Sequence, residues 1–276
     1  MKTLYVTDLD GTLLGKNGEL SDVSYAALEM LYARGVLVAP VTSRSYSALE
    51  VLRGARFRAP YSLLGGARIY DAQTKNLLCE HTYSIEDAKW ILNAIKSKGL
   101  TPFLYTQNDA DVQCIYYEAD ADEQLRAYVR KSEKAGDRRF CKVESFAERL
   151  DEKLFIITVR GEEALLIALR DALLARGLYA YLYQSVHMDD GYSLEASAVS
   201  KRVGVEDLRA LTGAQRVVAF GDNGNDEGMF EAADERIAVA NATDALKRKA
   251  DHIIDANDTD AVVRTIFEME GMEWIF

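Results

Sequence analysis

Two short apolar segments, far apart in the chain, each run directly into an acidic turn that contains glycine. TLYVT precedes Asp8, Leu9, Asp10 and Gly11, and RVVAF precedes Gly221, Asp222, Asn223, Gly224, Asn225 and Asp226. Segments this short and this uniformly apolar read as strands buried on both faces, the pattern of a parallel sheet. Ligands of open α/β sheets collect beyond the carboxyl ends of the strands, so both acidic turns fall where chemistry is expected.

The segments around these turns keep the same rhythm. A helix over residues 21–34 places Ala26, Ala27, Met30 and Leu31 on one face, and Gly35 can stop it. VLVAPV at 36–41 is a second strand with Pro40 at its end, followed by a helix over 45–53 and a strand over 62–64 that leads into Gly65 and Gly66. From Lys201 the alternation resumes with a helix over 202–211, the strand RVVAFGD, a helix from Asn225, the strand RIAVA, a helix from Thr243, the strand HIID and a last helix before Gly271.

The middle has a different texture. A helix over 86–98 leads to TPFLYTQ and DVQCIYYEA, with Asn108 and Asp109 as the turn between them. A helix over 122–134, the strand KLFIITVRG, a helix over 162–176 and the strand LYAYLYQ follow. The tyrosines here suit sheet faces and a ligand cleft alike. The expectation is an α/β fold: a Rossmann-like parallel-sheet core from residues 1–82 and 191–276, with an α/β cap domain inserted at 83–190.

With 276 residues, 49% of them hydrophobic, the chain can bury one large core or two moderate ones. A formal charge of -11 argues against gripping nucleic acid or an anionic membrane by broad electrostatics, although a local basic pocket could hold a phosphate. Cys79, Cys114 and Cys141 are scattered and odd in number, which suits neither a disulfide framework nor a metal cluster. The early acidic pair interrupts any signal-peptide core, and no apolar run reaches membrane-spanning length, so a soluble cytoplasmic protein is expected. The tail MEWIF can pack on a partner or on its own core, which leaves monomer and homodimer both open.

Two acids in a glycine-containing turn can bind a hard, oxygen-seeking cation while one of them stays placed to attack phosphorus. Alone, such a turn serves equally as a solvated loop or a calcium site. Asp222 and Asp226 stand four residues apart across a helix start, an arrangement that also describes an Asp/Asn helix cap. Thr42, just after VLVAPV, can offer a hydroxyl to a phosphoryl oxygen, and Lys201 can set positive charge opposite it. His81, His187 and His252 define no metal site by spacing; His187 with Asp189 and Asp190 reads as a hinge or exposed loop. No serine sits in a nucleophile elbow, and the first strand is not followed by the glycine-rich dinucleotide turn.

Taken together, these residues resemble the haloacid dehalogenase-like superfamily, and within it the Cof-type sugar-phosphate phosphatases with a large α/β cap between the second and third motifs. DLDGTL is similar to the first motif, Thr42 in VTSR to the second, Lys201 to the third and GDNGND to the fourth, so the resemblance covers essentially the whole chain. It implies that Asp8 attacks phosphorus, and that Asp10 protonates the leaving alcohol and then helps water hydrolyse the aspartyl phosphate. It also implies a magnesium ion held by Asp8, the Asp10 carbonyl and Asp222, with Asp226 in support. Thr42 and Lys201 would stabilise the transferring group, with Ser43, Arg44 and Asn225 on the substrate side.

The chain departs from the usual pattern at Thr42-Ser43-Arg44, where relatives often have glycine in the middle, and at Gly65-Gly66-Ala67, where many have asparagine first. VANATDALKRKADHII also resembles the family, with Asn241 shaping the loop or capping a helix, while Glu195 could orient Lys201 or form a surface ion pair. The implied reaction is magnesium-dependent hydrolysis of a small phosphate monoester, a sugar phosphate first, with no nucleic-acid or membrane partner. A phosphomutase, a disaccharide-phosphate, mannosyl-phosphoglycerate or cofactor phosphatase, and a noncatalytic metabolite-binding protein are the alternatives.

Overall fold

The computed structural model describes residues 1–49, 57–107, 113–184 and 191–276. The chain divides into two compact units, Met1–Glu80 with Val199–Phe276, and His81–Ala198. Its first stretch forms β1 (Thr3–Thr7), α1 (Asp22–Ala33), β2 (Leu37–Pro40), α2 (Tyr46–Leu49), β3 (Tyr61–Leu63), β4 (Arg68–Tyr70) and β5 (Leu77–Glu80). The inserted stretch forms α3 (Ile85–Lys96), β6 (Pro102–Gln107), β7 (Gln113–Glu118), α4 (Glu123–Lys134), β8 (Phe140–Val143), β9 (Lys153–Gly161), α5 (Glu163–Ala175), β10 (Tyr179–Gln184) and β11 (Tyr192–Ser197). The last stretch forms α6 (Lys201–Thr212), β12 (Arg216–Gly221), α7 (Glu227–Ala232), β13 (Glu235–Val239), α8 (Asp244–Lys247), β14 (His252–Ile254) and α9 (Ala261–Met269).

The first unit is built on a parallel sheet in the order β14-β13-β12-β1-β2. Leu4 and Val6 of β1 and Val217, Val218, Ala219 and Phe220 of β12 are wholly buried, as a sheet covered on both faces requires. Because the chain turns one way from β1 to β2 and later fills the other side with β12, the strand order reverses between β1 and β12. Thr7 stands opposite Phe220, so Asp8 and Asp222 emerge side by side at that reversal, where such sheets bind their ligands.

The helices begin where the sequence supplies oxygen caps. Ser21 accepts the amide hydrogen of Ser24 and Ser84 that of Asp87. Asp122 accepts that of Leu125 at the head of α4. The second unit's sheet runs β10-β11-β9-β6-β7-β8, antiparallel except for the β7–β8 pair. Alternation along its strands supplies two cores: Leu104, Tyr116 and Ile157 pack with α3 and α5, whereas Phe103 and Ile115 pack with Leu125 and Val129 of α4.

Three features differ from the sequence expectation. Tyr192–Ser197 is a strand paired on both sides within the second unit, so that unit extends over His81–Ala198 rather than 83–190. Its serines and glutamate hide the strand pattern, yet Ser193, Glu195 and Ser197 are all buried. Phe140–Val143 is a further strand, and β3, β4 and β5 form a separate antiparallel sheet. The helix expected over 45–53 is described only through Leu49, and the Asn108-Asp109 turn, His187, Asp189 and Asp190 lie outside the described residues.

Candidate active site

At the end of β1, Asp8 is 6% exposed and donates its backbone N–H to Phe220 O at 3.0 Å, which fixes it against β12. The next residues fold into one wide turn, Leu9–Leu13, closed by Leu14 N–H donating to Leu9 O at 2.9 Å. Gly11 allows this turn twice over. Its φ is +82°, and a Cβ there would lie 2.5 Å from Asp222 Oδ2. Thr12, buried on the same turn, donates to Asp222 Oδ1 at 3.1 Å. Its only sequence signal was its place in DLDGTL.

Lys201 opens α6 and is 1% exposed, with its ammonium 2.6 Å from both Asp8 Oδ1 and Asp226 Oδ1. Asp226 is wholly buried, and its other oxygen accepts the backbone N–H groups of Asp222 at 2.8 Å and Asn223 at 3.1 Å. Both Asp226 oxygens are therefore engaged, although Asp8, Asp222 and Asp226 offer carboxylate oxygens that all lie within 4.8 Å of one another. Asn225 sits in the single turn Gly224–Asp226 beside them.

Three clustered carboxylates share one ammonium. Asp8 is raised to about 8, chiefly by burial and also by Asp226 and Asp222, against the pull of Lys201. Burial, then Asp226, raise Asp222 to about 6. Burial disfavours the Lys201 ammonium, but Asp226 and Asp8 outweigh it and hold the group firmly protonated. Three clustered carboxylates thus outnumber the one ammonium set among them. That surplus of hard oxygen donors fits a divalent cation such as magnesium.

On the far side of the Asp8 turn, Arg44 Nε and a terminal nitrogen donate to the two oxygens of Asp10 at 2.7 and 2.6 Å, a fork-to-fork pair. The side chain of Asp10 stands outside the carboxylate cluster and is 56% exposed. Thr42 is buried and anchored by its N–H to Ser62 O at 3.0 Å, while its hydroxyl accepts Arg44 N–H at 3.1 Å. The Ser43 hydroxyl is buried with no hydrogen-bond partner. Gly66 has a packing reason, since a Cβ there would meet Ser200 O at 2.6 Å; the departure itself is at Gly65, whose φ is +67°. Lys201 is oriented by Asp8 and Asp226, whereas Glu195 is a buried member of β11 that accepts the Ser197 hydroxyl at 3.2 Å.

Comparison with known proteins agrees with this architecture. The profile of the haloacid dehalogenase-like hydrolases matches residues 5–266. Pyridoxal phosphate phosphatase YbhA of Escherichia coli is 26% identical, across 94% of this chain and 96% of its own. The 5-amino-6-(5-phospho-D-ribitylamino)uracil phosphatase YitU of Bacillus subtilis is 24% identical, across 96% of each. Among solved structures, the subclass IIB sugar phosphatase BT4131 superposes with a TM-score of 0.77 at 18% identity, covering 98% of this chain and 99% of that one. A haloacid dehalogenase-like hydrolase from Bacteroides thetaiotaomicron superposes with a TM-score of 0.72 at 22% identity, over 98% of this chain and all, 100%, of that one. The chain belongs to the haloacid dehalogenase-like hydrolase family, in its Cof-type branch. It is an enzyme, a phosphoric monoester hydrolase.

Proposed function

We propose that this enzyme hydrolyses a small phosphorylated metabolite, a sugar phosphate first, in a magnesium-dependent reaction through an aspartyl phosphate on Asp8. The observation that carries the reading is the Lys201 ammonium held 2.6 Å from both Asp8 and Asp226 at the strand-order reversal. An Asp8 oxygen forms the new bond to phosphorus as the bond to the leaving oxygen breaks. Asp10, held at the rim by Arg44, gives that oxygen its proton. It then takes a proton from the water that attacks the acyl phosphate, which releases inorganic phosphate and frees Asp8. Lys201 and the Thr42 hydroxyl hold phosphoryl oxygens during both transfers, with Ser43, Arg44 and Asn225 on the substrate side.

Magnesium, bound by Asp8, the Asp10 carbonyl and Asp222, would offset the repulsion between the attacking carboxylate and the phosphoryl oxygens. Asp226 supports this set by fixing Lys201 and the backbone at Asp222. The second unit, acting as a cap, would supply recognition of the leaving group. Among the described residues no helix is long and apolar enough to cross a membrane, which is compatible with a cytoplasmic enzyme.

The test is inorganic-phosphate release from hexose phosphates, pentose phosphates, pyridoxal phosphate and flavin mononucleotide, with and without magnesium. The last two substrates are included because relatives that span nearly the whole chain act on a cofactor phosphate and on a phosphoribitylamino uracil. Strong magnesium-dependent release from sugar phosphates supports the reading. Release from cofactor phosphates alone moves the substrate class, and no release from any of them sinks the hydrolase chemistry assigned to Asp8.

A further inference from the structure

The two acidic turns come from strands more than two hundred residues apart in sequence, and their carboxylates must keep a fixed spacing to share one cation and one phosphoryl group. Besides the Asp8 N–H on Phe220 O and the shared Lys201 ammonium, the turns touch through the Thr12 hydroxyl on Asp222 and the close approach of Gly11. The loop after β13 touches both. The Asn241 side chain donates from Nδ2 to Gly11 O at 2.8 Å, and two residues on, Thr243 N–H donates to Asp222 O at 2.9 Å.

The orientation of the Asn241 amide is itself determined. Its Oδ1 accepts the backbone N–H of Asn257 at 3.0 Å, so its NH2 group must face the Gly11 carbonyl. Asn257, only 8% exposed, also donates from Nδ2 to Leu14 O at 2.6 Å, just beyond the same turn. Fixing Gly11 O fixes the plane of the Gly11–Thr12 peptide, and thereby the hydroxyl that reaches Asp222. In sequence, Asn241 reads as a loop or cap residue, and neither spacing nor pattern betrays its link to the first turn.

We infer that Asn241, oriented by Asn257, is a positioning residue that sets the spacing of the Asp8–Asp10 turn against Asp222, and so tunes magnesium affinity and turnover. The inference rests on the phosphatase reading above. Asn241 is exposed, so its loss spares the core. The requirement is a donor aimed at Gly11 O, which alanine lacks and which the Nδ1–H of histidine can replace.

The test compares full-length wild type, Asn241→Ala and Asn241→His by urea midpoint, by the magnesium-induced rise in Tm without substrate, and by kcat and KM with p-nitrophenyl phosphate. Asn241→Ala is expected to stay cooperatively folded, with a urea midpoint lowered only slightly by the loss of its two hydrogen bonds, and to keep the wild-type KM. Its magnesium affinity and kcat should each fall about tenfold, the usual cost of losing a group that orients a metal site, and Asn241→His should recover most of both. Wild-type magnesium affinity and kcat in Asn241→Ala would overturn the inference, as would a histidine variant no better than alanine. If the wild type itself neither gains Tm with magnesium nor releases phosphate, the functional reading fails and this inference falls with it.

Discussion

At the scale of single residues, the site is a problem of charge balance. Lys201 is buried between two carboxylates, and removing its ammonium leaves Asp8 and Asp226 facing each other without a counter-charge. Breaking a buried pair in this way typically costs about 3–5 kcal/mol. Lys201→Met should therefore lose roughly that much stability by urea denaturation and show no phosphate release. Adding Asp8→Asn should restore part of the stability and none of the turnover; a Lys201→Met protein as stable as wild type would refute the balance. The meeting of Asp8 and Asp222 was legible in the sequence because acids that end apolar strands have positions that backbone pattern determines, whereas Lys201 was singled out only by its place among the acidic motifs and by the family resemblance. The double engagement of Asp226 and the fork between Arg44 and Asp10 were not legible, because the choice between nearby partners is made by tertiary packing.

At the scale of elements, the wide turn Leu9–Leu13 depends on Gly11. Gly11→Ala would force a side chain into a left-handed conformation and against Asp222, costing about 1 kcal/mol or more. The expected outcome is a lower Tm together with a weaker magnesium-induced Tm rise, and loss of the first without the second would mean that Asp222 moves aside freely. A second case is the edge strand β14, whose entry is pinned by Asp251. Arg236, on β13, donates to it from Nε at 3.0 Å, from a terminal nitrogen at 2.6 Å and from its backbone N–H at 2.9 Å.

Those bonds hold Asp251 down at about 2, below its ordinary 3.8. A carboxylate with a lowered folded-state pKa adds stability that is present above the ordinary value and lost as pH falls toward the lowered one. The Tm gap between wild type and Asp251→Asn should thus be open near neutral pH and close between about 4 and about 2. The pair is exposed, so the gap will be small, but a gap unchanged across that window would show that the stabilisation is not ionic. The elements missed in the sequence have a common cause. Tyr192–Ser197 carries polar residues at buried positions, and Phe140–Val143, β4 and β5 are only three or four residues long, too short for periodicity to register.

At the scale of the whole molecule, a chain whose two ends build one unit leaves the stretch between them free to be a domain in its own right. The discontinuity was readable because the parallel-sheet rhythm stops and resumes; the exit point was not, because it falls after a strand that does not look like one. His81–Ala198 contains its own six-stranded sheet, with one face packed by α3 and α5 and the other, over β6, β7 and β8, by α4. Asp8, Asp222, Asp226 and Lys201 all lie in the other unit. Residues 81–198 expressed alone should therefore unfold cooperatively on heating, at a Tm that magnesium does not change. Full-length protein should gain stability with magnesium by mass action, about 2.7 kcal/mol when the free ion is at a hundred times its Kd. A disordered circular-dichroism spectrum from the excised segment would show that its sheet needs the rest of the chain. A magnesium response within the excised segment would place the ion away from the three aspartates.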